Sequence, residues 1–177
     1  MLKQLIEQTP DIFFESPAFI HTLRPTMAAL TLVQTDVVWA ALELIHSILG
    51  HDSLEASSNP PPKFPVFAAA INQAIEKEGF ELLGYILAGL VGDFPEESIS
   101  TVVTTIRRLA ALWPQQVLTW LPLTLQNLPT TAVPVQARSQ FLADMNKFVT
   151  LPSFFFFHVE ANDPVLKAPW GLGSSTR

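Results

Sequence analysis

Residues 80–128 have the sequence FELLGYILAGLVGDFPEESISTVVTTIRRLAALWPQQVLTWLPLTLQNL and predict three helices in succession, with few connecting residues. In the middle segment, apolar side chains recur with the 3.6-residue period of an amphipathic helix. They are Ile99, Val102, Val103, Ile106, Leu109, Ala110 and Trp113. Asp93 and Glu96 occupy capping-box positions before this helix, and Pro114 ends it and opens the next one. Two helices packed back to back are therefore expected.

The composition favours one all-α domain. The chain has 177 residues, of which 49% are hydrophobic, so it can bury a sizeable core. Its 15 prolines outnumber its 7 glycines, and helical periodicity lies between the prolines. This combination indicates many helices separated by short stops.

Charge and cysteine content restrict the partners and the compartment. The formal net charge is −6, so general binding to nucleic acid is not expected and basic partners are favoured. The chain has no cysteine, which excludes disulfides and thiolate metal sites and is typical of the cytosol or nucleus.

Neither a membrane span nor an export signal is expected. The uncharged apolar run over residues 82–92 is about half of the roughly 20 residues that a spanning helix needs. Glu7, Asp11 and Glu15 interrupt any signal-peptide pattern at the N-terminus.

The first part of the chain predicts a helical hairpin. Residues 2–8 have the pattern of a helix whose beginning is missing, so the chain is expected to start in mid-structure. A helix over 17–32 follows, with a kink expected at Pro25. The second helix of the hairpin is predicted over 36–49.

The ends of this second helix have their own signals. Asp36 is expected to cap its start and Gly50 to stop it. Residues 51–63 are polar, proline-rich and without period, which predicts a surface loop.

The next segment predicts two helices, over 65–78 and 80–91, separated by Gly79. The second is apolar on nearly all sides and is expected to be a central, buried helix. Gly84 and Gly89 are expected to permit close approach of a neighbouring backbone.

These helices predict a row of antiparallel hairpins. The hairpins span 17–49, 65–91 and 95–128, and a helix over 134–149 lacks its partner. Their starts are separated by about 30 to 48 residues, which is in the range of HEAT and armadillo units. Such units stack into a curved solenoid because one unit cannot bury its apolar face alone. The expected architecture is thus an all-α, HEAT/ARM-type α-solenoid.

No metal or phosphate site is predicted. The histidines at 21, 46, 51 and 158 are scattered without ligand spacing. Gly84 and Gly89 follow no strand and precede no Gly-Lys-Ser/Thr motif, so a packing role is favoured over a phosphate-binding loop.

The remaining polar and aromatic candidates also have structural interpretations. Glu96 and Glu97 could be paired carboxylates, but adjacent acids at a helix start more simply favour its dipole. Arg107 and Arg108 could contact phosphate, yet two cations in a last turn complement the C-terminal end of their own helix. The tryptophans at 39, 113 and 120 are expected in the core.

Residues 82–145 resemble the C-terminal repeats of the transportin-SR (Mtr10-like) branch of the importin-beta family, and residues 16–49 resemble the preceding hairpin. The resemblance covers about residues 1–149 and lies in helix order and scattered apolar positions. The positions that carry it are Leu82, Leu83, Leu87, Pro95, Val103, Trp120, Leu121, Leu125, Leu128, Pro129 and Phe141.

Membership would imply a superhelix that carries arginine-serine-rich proteins into the nucleus and releases them to Ran-GTP. Importin-beta proteins are several times longer, and their Ran-binding surface lies in N-terminal repeats that are absent here. Pro122 is expected to kink a helix that is continuous in the family. The resemblance stops after Thr150, so residues 150–177 are expected to be an irregular tail. These departures suggest a truncated superhelix.

The predicted function is therefore that of a nuclear transport receptor fragment, located in cytoplasm and nucleus, that binds basic, arginine-serine-rich protein cargo. The resemblance places Glu43 and Glu81 on the inner, cargo-facing surface. The alternative is a helical-repeat scaffold without a transport role. An enzyme is not predicted, since no nucleophile, base or cofactor motif is found, and no cofactor, nucleic acid or membrane partner is expected.

Overall fold

The computed structural model describes residues 2–55, 57–92 and 94–150, and every regular element within them is a helix. This confirms the all-α prediction for that part of the chain. The predicted irregular tail falls on residues 151–177, which lie outside the described residues. The α-helices are α1 Leu2–Gln8, α2 Pro10–Phe14, α3 Ala18–Ala29, α4 Thr35–Leu49, α5 Phe64–Val91, α6 Ile99–Leu112, α7 Pro114–Asn127 and α8 Val135–Thr150. Short 3-10 helices cover Asp52–Leu54 and Glu96–Ser98.

Helices α3, α5 and α7 form one row of parallel helices, called here the first row. The indole Nε1 of Trp113 donates to Asn72 Oδ1 at 2.9 Å, which joins the start of α7 to α5. Seven residues further along both helices, Gly79 lies against the ring of Trp120. Because the contact advances in the same direction on both helices, α5 and α7 run parallel.

Helices α2 and α3 lie beside α5. The rings of Phe14 and Phe67 have centroids 5.5 Å apart, and Arg24 Nε donates to Glu78 Oε1 at 2.9 Å. Both contacts advance together along the two segments, so α3 is parallel to α5.

Helices α4 and α6, with α1 beside α4, form the second row. Thr105 Oγ1 lies 3.5 Å from His46 Nδ1, and Arg108 Nη1 donates to the Leu49 carbonyl oxygen at 3.4 Å. Each of these two pairs spans 59 residues, so α4 and α6 also run parallel. Consecutive helices pack across the rows: α3 against α4, α5 against α6, α6 against α7, and α7 against α8.

The core lies between the two rows. It is formed by apolar side chains at helical spacing on the facing sides of all the long helices. The largest fully buried side chains are Phe19, Leu23, Met27, Leu42, Ile45, Leu49, Ile71, Ile75, Leu82, Leu83, Ile86 and Phe141. The expectation that residues 80–91 are buried between neighbours is therefore confirmed.

The predicted break at Gly79 is wrong. Residues 64–91 form one 28-residue helix, and Gly79 is buried in its interior. A Cβ atom at this position would lie 2.5 Å from Trp120 Cη2. The glycine therefore marks a close helix contact, and packing on both sides outweighs its low helix propensity of about 1 kcal/mol. The predicted hairpin over 65–91 does not exist.

The start of α4 also differs from its prediction. Gln34, not Asp36, is the residue before α4, and no side chain caps this helix. The predicted cap at Asp93 lies outside the described residues, and α6 begins after the 3-10 turn Glu96–Ser98. Helix α8 packs against α7. Whether a further helix pairs with α8 in a fourth hairpin stays a prediction, because the residues after 150 lie outside the described residues.

Other boundaries are confirmed. Gly50 ends α4, and Trp113 separates α6 from α7, whose first residue is Pro114. Pro25 and Pro122 both lie inside helices that continue past them, so the kinks expected there stay predictions. The short helix α2 was not predicted from the sequence.

Candidate interaction surface

The two predicted cargo-facing carboxylates lie on different rows. Glu43 is half-buried on α4 in the second row, where its backbone carbonyl accepts a hydrogen bond from Ser47 Oγ at 2.8 Å. Glu81 is exposed on α5 in the first row. The structure therefore does not bring them together, and no surface formed by one row alone can present both.

Glu78, one turn before Glu81, is the buried carboxylate of this helix. Its side chain is 1% exposed and accepts the hydrogen bond from Arg24, whose side chain is 64% exposed. A buried carboxylate needs such a partner because losing its hydration is costly. The pair joins α3 to α5 and has a structural role.

Arg108 has a structural role that differs from the expected one. Its guanidinium donates to the Leu49 carbonyl and lies 3.7 Å from Glu55 Oε1. A cation at a helix C-terminus satisfies carbonyl groups that have no partner within the helix. Arg108 therefore stabilises the end of α4, not the end of its own helix α6 as the sequence suggested.

A second charged group ties the loop before α5 to α2. Lys63 Nζ lies 3.1 Å from Glu15 Oε1 and 3.3 Å from Asp11 Oδ2. The hydrogen bonds to Glu15 and Asp11 raise the pKa of Lys63, and the bond from Lys63 lowers the pKa of Asp11. All three groups are solvent-accessible, so their ion pairs contribute little to the stability of the fold. Their main effect is to orient the loop before α5 relative to α2.

His51 lies at the centre of an aromatic cluster. Its ring makes edge contacts with Phe14, Phe64 and Phe67 at centroid distances of 4.9, 5.7 and 5.8 Å. Its Nδ1 accepts the backbone N–H of Ser53 at 3.2 Å and lies 2.9 Å from the Ser53 hydroxyl. Burial in this cluster lowers the pKa of His51, which opposes a role as a charged ligand.

Two of the three tryptophans expected in the core belong to it. Trp113 is buried and bonded to Asn72, and Trp120 is half-buried against Gly79. Trp39 differs, because its side chain is 38% exposed. The expectation that Trp39 lies in the core is therefore wrong.

Two further exposed apolar residues precede α4 in the sequence. Leu32 and Val33 lie in the turn before α4 and are 48% and 94% exposed. Neither residue was predicted from the sequence to have a functional role. Val33 falls between two predicted helices and so had no predicted core position.

Acidic side chains lie at this same end of the molecule. Asp36 is exposed in the first turn of α4, and Glu96 and Glu97 are exposed in the turn before α6. The chain has no lysine or arginine between residues 25 and 62, or between residues 78 and 106.

Neither a group of metal ligands nor a membrane-spanning helix occurs in the described part of the chain. Within residues 2–55, 57–92 and 94–150, no three His, Asp or Glu side chains are grouped closely enough to hold a metal ion. None of the helices in this part of the chain has the length and apolar character that crossing a bilayer requires.

Comparison with known proteins adds no relative. No protein-family model matches the chain, and no curated protein matches it. The resemblance to the importin-beta family therefore stays a prediction.

Proposed function

We propose that this chain is a helical-repeat segment of a nuclear transport receptor of the importin-beta family, with the transportin-SR branch as the nearest type. Its role is to bind basic, arginine-serine-rich protein cargo for import into the nucleus. The sequence resemblance over residues 1–149 supplies the family and the cargo class.

The observation that carries the proposal is the parallel stacking of α4 with α6 and of α5 with α7. Two rows of parallel helices, with consecutive helices packed across the rows, are the arrangement expected of a HEAT/ARM-type solenoid. Contacts between neighbouring parallel helices span 41 residues for α5 and α7, 54 for α3 and α5, and 59 for α4 and α6. The first separation lies within the typical repeat length of about 40 to 47 residues, and the other two are longer.

The second row is the proposed cargo-facing side. In the pairs α3–α4 and α5–α6 the second helix belongs to the second row, and the family resemblance implies that second helices line the inner surface. Glu43 then contacts cargo, whereas Glu81 on the first row does not. Guanidinium groups bind carboxylates through charge-assisted hydrogen bonds, which gives the arginine-rich cargo its recognition chemistry.

The same stacking also supports a helical-repeat scaffold that holds protein partners without transporting them. Solenoid architecture is shared by many interaction proteins, so architecture alone favours neither role. The two functions differ in their ligands. A transport receptor binds arginine-serine segments, and a scaffold forms a lasting complex with a fixed partner.

Titration with a fluorescent peptide of repeated arginine-serine dipeptides tests the proposal. Binding is followed by fluorescence anisotropy for the wild type and for Glu43→Lys and Glu81→Lys, which make the same charge change on opposite rows. Glu43→Lys should weaken binding about fivefold, because one partly exposed ion pair contributes about 1 kcal/mol. Glu81→Lys should have no effect, and added salt should weaken binding.

Two results would contradict the proposal. One is the absence of binding to the arginine-serine peptide. The other is binding that responds to neither Glu43→Lys nor salt. Circular dichroism of each variant checks that the charge change has not altered the helical fold.

A further inference from the structure

Arg107 is a cation near the end of α6 whose guanidinium group is partly removed from water. The residue as a whole is half-buried, and its Nε and Nη2 atoms are buried. A guanidinium carries only N–H donors, so burying them is costly unless oxygen atoms accept their hydrogen bonds. A carboxylate is the acceptor that fits best, because it also balances the charge.

The neighbouring Arg108 shows which acceptors at this end of α6 are already engaged. Its guanidinium donates to the Leu49 carbonyl oxygen and lies 3.7 Å from Glu55 Oε1. Successive residues of a helix project about 100° apart around its axis, so Arg107 points in a different direction from Arg108. The acceptor that suits Arg107 therefore belongs to another part of the chain than Glu55.

Helix α8 ends at the same end of the molecule as α6. It packs against α7, which packs against α6. Arg138 donates to the carbonyl oxygens of Leu128 and Val133 at 2.7 and 3.0 Å, which fixes the turn that reverses the chain between α7 and α8. The chain also reverses between α6 and α7, so α8 is parallel to α6 and Thr150 lies at the end where Arg107 is.

The chain continues from this end with residues 151–177, which lie outside the described residues. The side-chain carboxylates of this segment are Glu160 and Asp163, and a run of four phenylalanines over 154–157 precedes them. Ten extended residues span up to about 33 Å, so the chain from Thr150 to Glu160 is long enough to reach α6.

Apolar side chains that the core covers only in part lie along the same end. Leu142 and Val149 share a stripe of α8 with the buried Met145, at spacings of three and four residues. Leu112, the last residue of α6, is also partly buried. The phenylalanine run 154–157 supplies the apolar surface that would complete their burial.

We propose that residues 154–163 dock on the second row at the common end of α6 and α8. The phenylalanine run packs on Leu112, Leu142 and Val149, and the carboxylates of Glu160 and Asp163 accept the hydrogen bonds of Arg107. Attachment to α8 gives this segment a high effective concentration at the site, which favours it over a separate acidic chain. The inference goes beyond the proposed function, since the contact lies within the chain and does not involve Glu43.

Urea unfolding of the full chain tests the ion pair through a double-mutant cycle. R107Q and E160Q/D163N should each raise the unfolding equilibrium constant at least tenfold, because each breaks a buried charge pair. All three changes together should raise it no more than R107Q alone, since both variants remove the same contact.

Two control variants make the same chemical changes elsewhere. R108Q replaces the neighbouring cation, and its effect should multiply with that of E160Q/D163N because the two sites are separate. E96Q/E97Q removes two exposed carboxylates at the opposite end of α6 and should change the unfolding constant less than twofold. Multiplying effects of R107Q and E160Q/D163N, or no effect of E160Q/D163N, would overturn the inference.

Amide hydrogen exchange gives an independent measure of docking. Residues 154–163 of the wild type should exchange at least tenfold more slowly than a peptide of the same sequence, and R107Q should remove this protection while R108Q retains it. Exchange in the wild type as fast as in the peptide would overturn the inference. Protection that is lost on dilution would do so as well, because the segment would then bind a second copy of the chain.

Discussion

His51 joins the 51–63 loop to two helices through one ring. Its Nδ1 accepts the Ser53 N–H, and its faces and edges pack on Phe14, Phe64 and Phe67. A nitrogen that accepts a backbone N–H carries no proton, so the contact requires the neutral ring in the tautomer protonated at Nε2. Protonation of Nδ1 would break this contact and bury a charge.

The free energy of unfolding should therefore fall as the pH falls below 6.5, the usual pKa of histidine. The pKa of His51 is lowered in the folded protein by burial, so the unfolded chain takes up the proton first. The stabilisation is complete above pH 6.5 and is lost as the pH falls towards the folded-state pKa. Urea unfolding between about pH 7.5 and about pH 5 measures this slope.

Charged groups near His51 do not obscure the effect. Asp52 raises the pKa of His51 but less than burial lowers it, and the cluster of Asp11, Glu15 and Lys63 lies on the α2 side. The pKa of Asp11 is lowered from 3.8, so its contribution is lost only in more acidic solution. On the α6 side, Arg108 and Glu55 are paired with each other.

A neutral replacement separates His51 from the other histidines. His51→Gln should lower stability overall but flatten its dependence on pH in this range. His21→Gln, at an exposed position of α3, should leave the slope as in the wild type. If the free energy of unfolding of His51→Gln depended on pH as in the wild type, a group other than His51 would cause that dependence.

At the scale of elements, α5 is the central helix because both of its sides are packed. It contacts α3 on one side and α7 on the other, and α6 covers it from the second row. Gly79 allows the α7 contact, since the Trp120 ring occupies the space where a side chain would lie.

Gly79→Ala should destabilise the protein, although alanine is the better helix former by about 1 kcal/mol. The added methyl group would overlap the Trp120 ring, and overpacking of this kind costs about 1 to 3 kcal/mol. Gly84→Ala is the matched control in the same helix. Its Cβ would meet only Thr124 Cγ2, at 3.9 Å, so this variant should gain about 0.5 to 1 kcal/mol. Urea unfolding measures both.

A second substitution checks the cause. Combining Gly79→Ala with Trp120→Leu should cost less than the sum of the two single changes, because the smaller side chain leaves room for the methyl group. If Gly79→Ala were as stabilising as Gly84→Ala, the close contact between α5 and α7 would not exist.

At the scale of the whole molecule, the parallel direction of neighbouring helices is the defining feature. Helices that follow each other in a chain through short turns are antiparallel. Two parallel neighbours therefore need an intervening helix that runs in the opposite direction. Helix α5 has this role between α4 and α6.

Spin-label distances can measure this direction, because the chain contains no cysteine and introduced labels have no background. Labels at Asp36→Cys and Ser100→Cys lie near the starts of α4 and α6, whereas Ala111→Cys lies near the end of α6. All three positions are exposed. The distance from 36 to 111 should exceed that from 36 to 100 by about 10 to 16 Å, from the rise of 1.5 Å per residue.

The reverse order of these two distances would contradict the parallel arrangement of α4 and α6. It would also remove the support for the proposed function, since that proposal depends on the two rows.

Periodicity and proline placement were enough to predict the all-α class and most helix positions. Apolar residues at helical spacing, as at Val102, Val103 and Ile106, predict a buried face without knowledge of what covers it. Pro114 and Gly50 fixed helix ends because their effects are local to the backbone.

Only the tertiary structure decided what each helix packs against. Gly79 was predicted as a break because local propensity penalises glycine, while the Trp120 contact 41 residues away reverses the conclusion. Trp39 was predicted in the core because its size and spacing suit burial, but its side chain is 38% exposed. The sequence by itself therefore determined which residues form helices. Contacts between residues distant in sequence decided which helices are parallel, and therefore which side chains share a surface. Such contacts leave no local pattern in the sequence, so the sequence alone could not predict them.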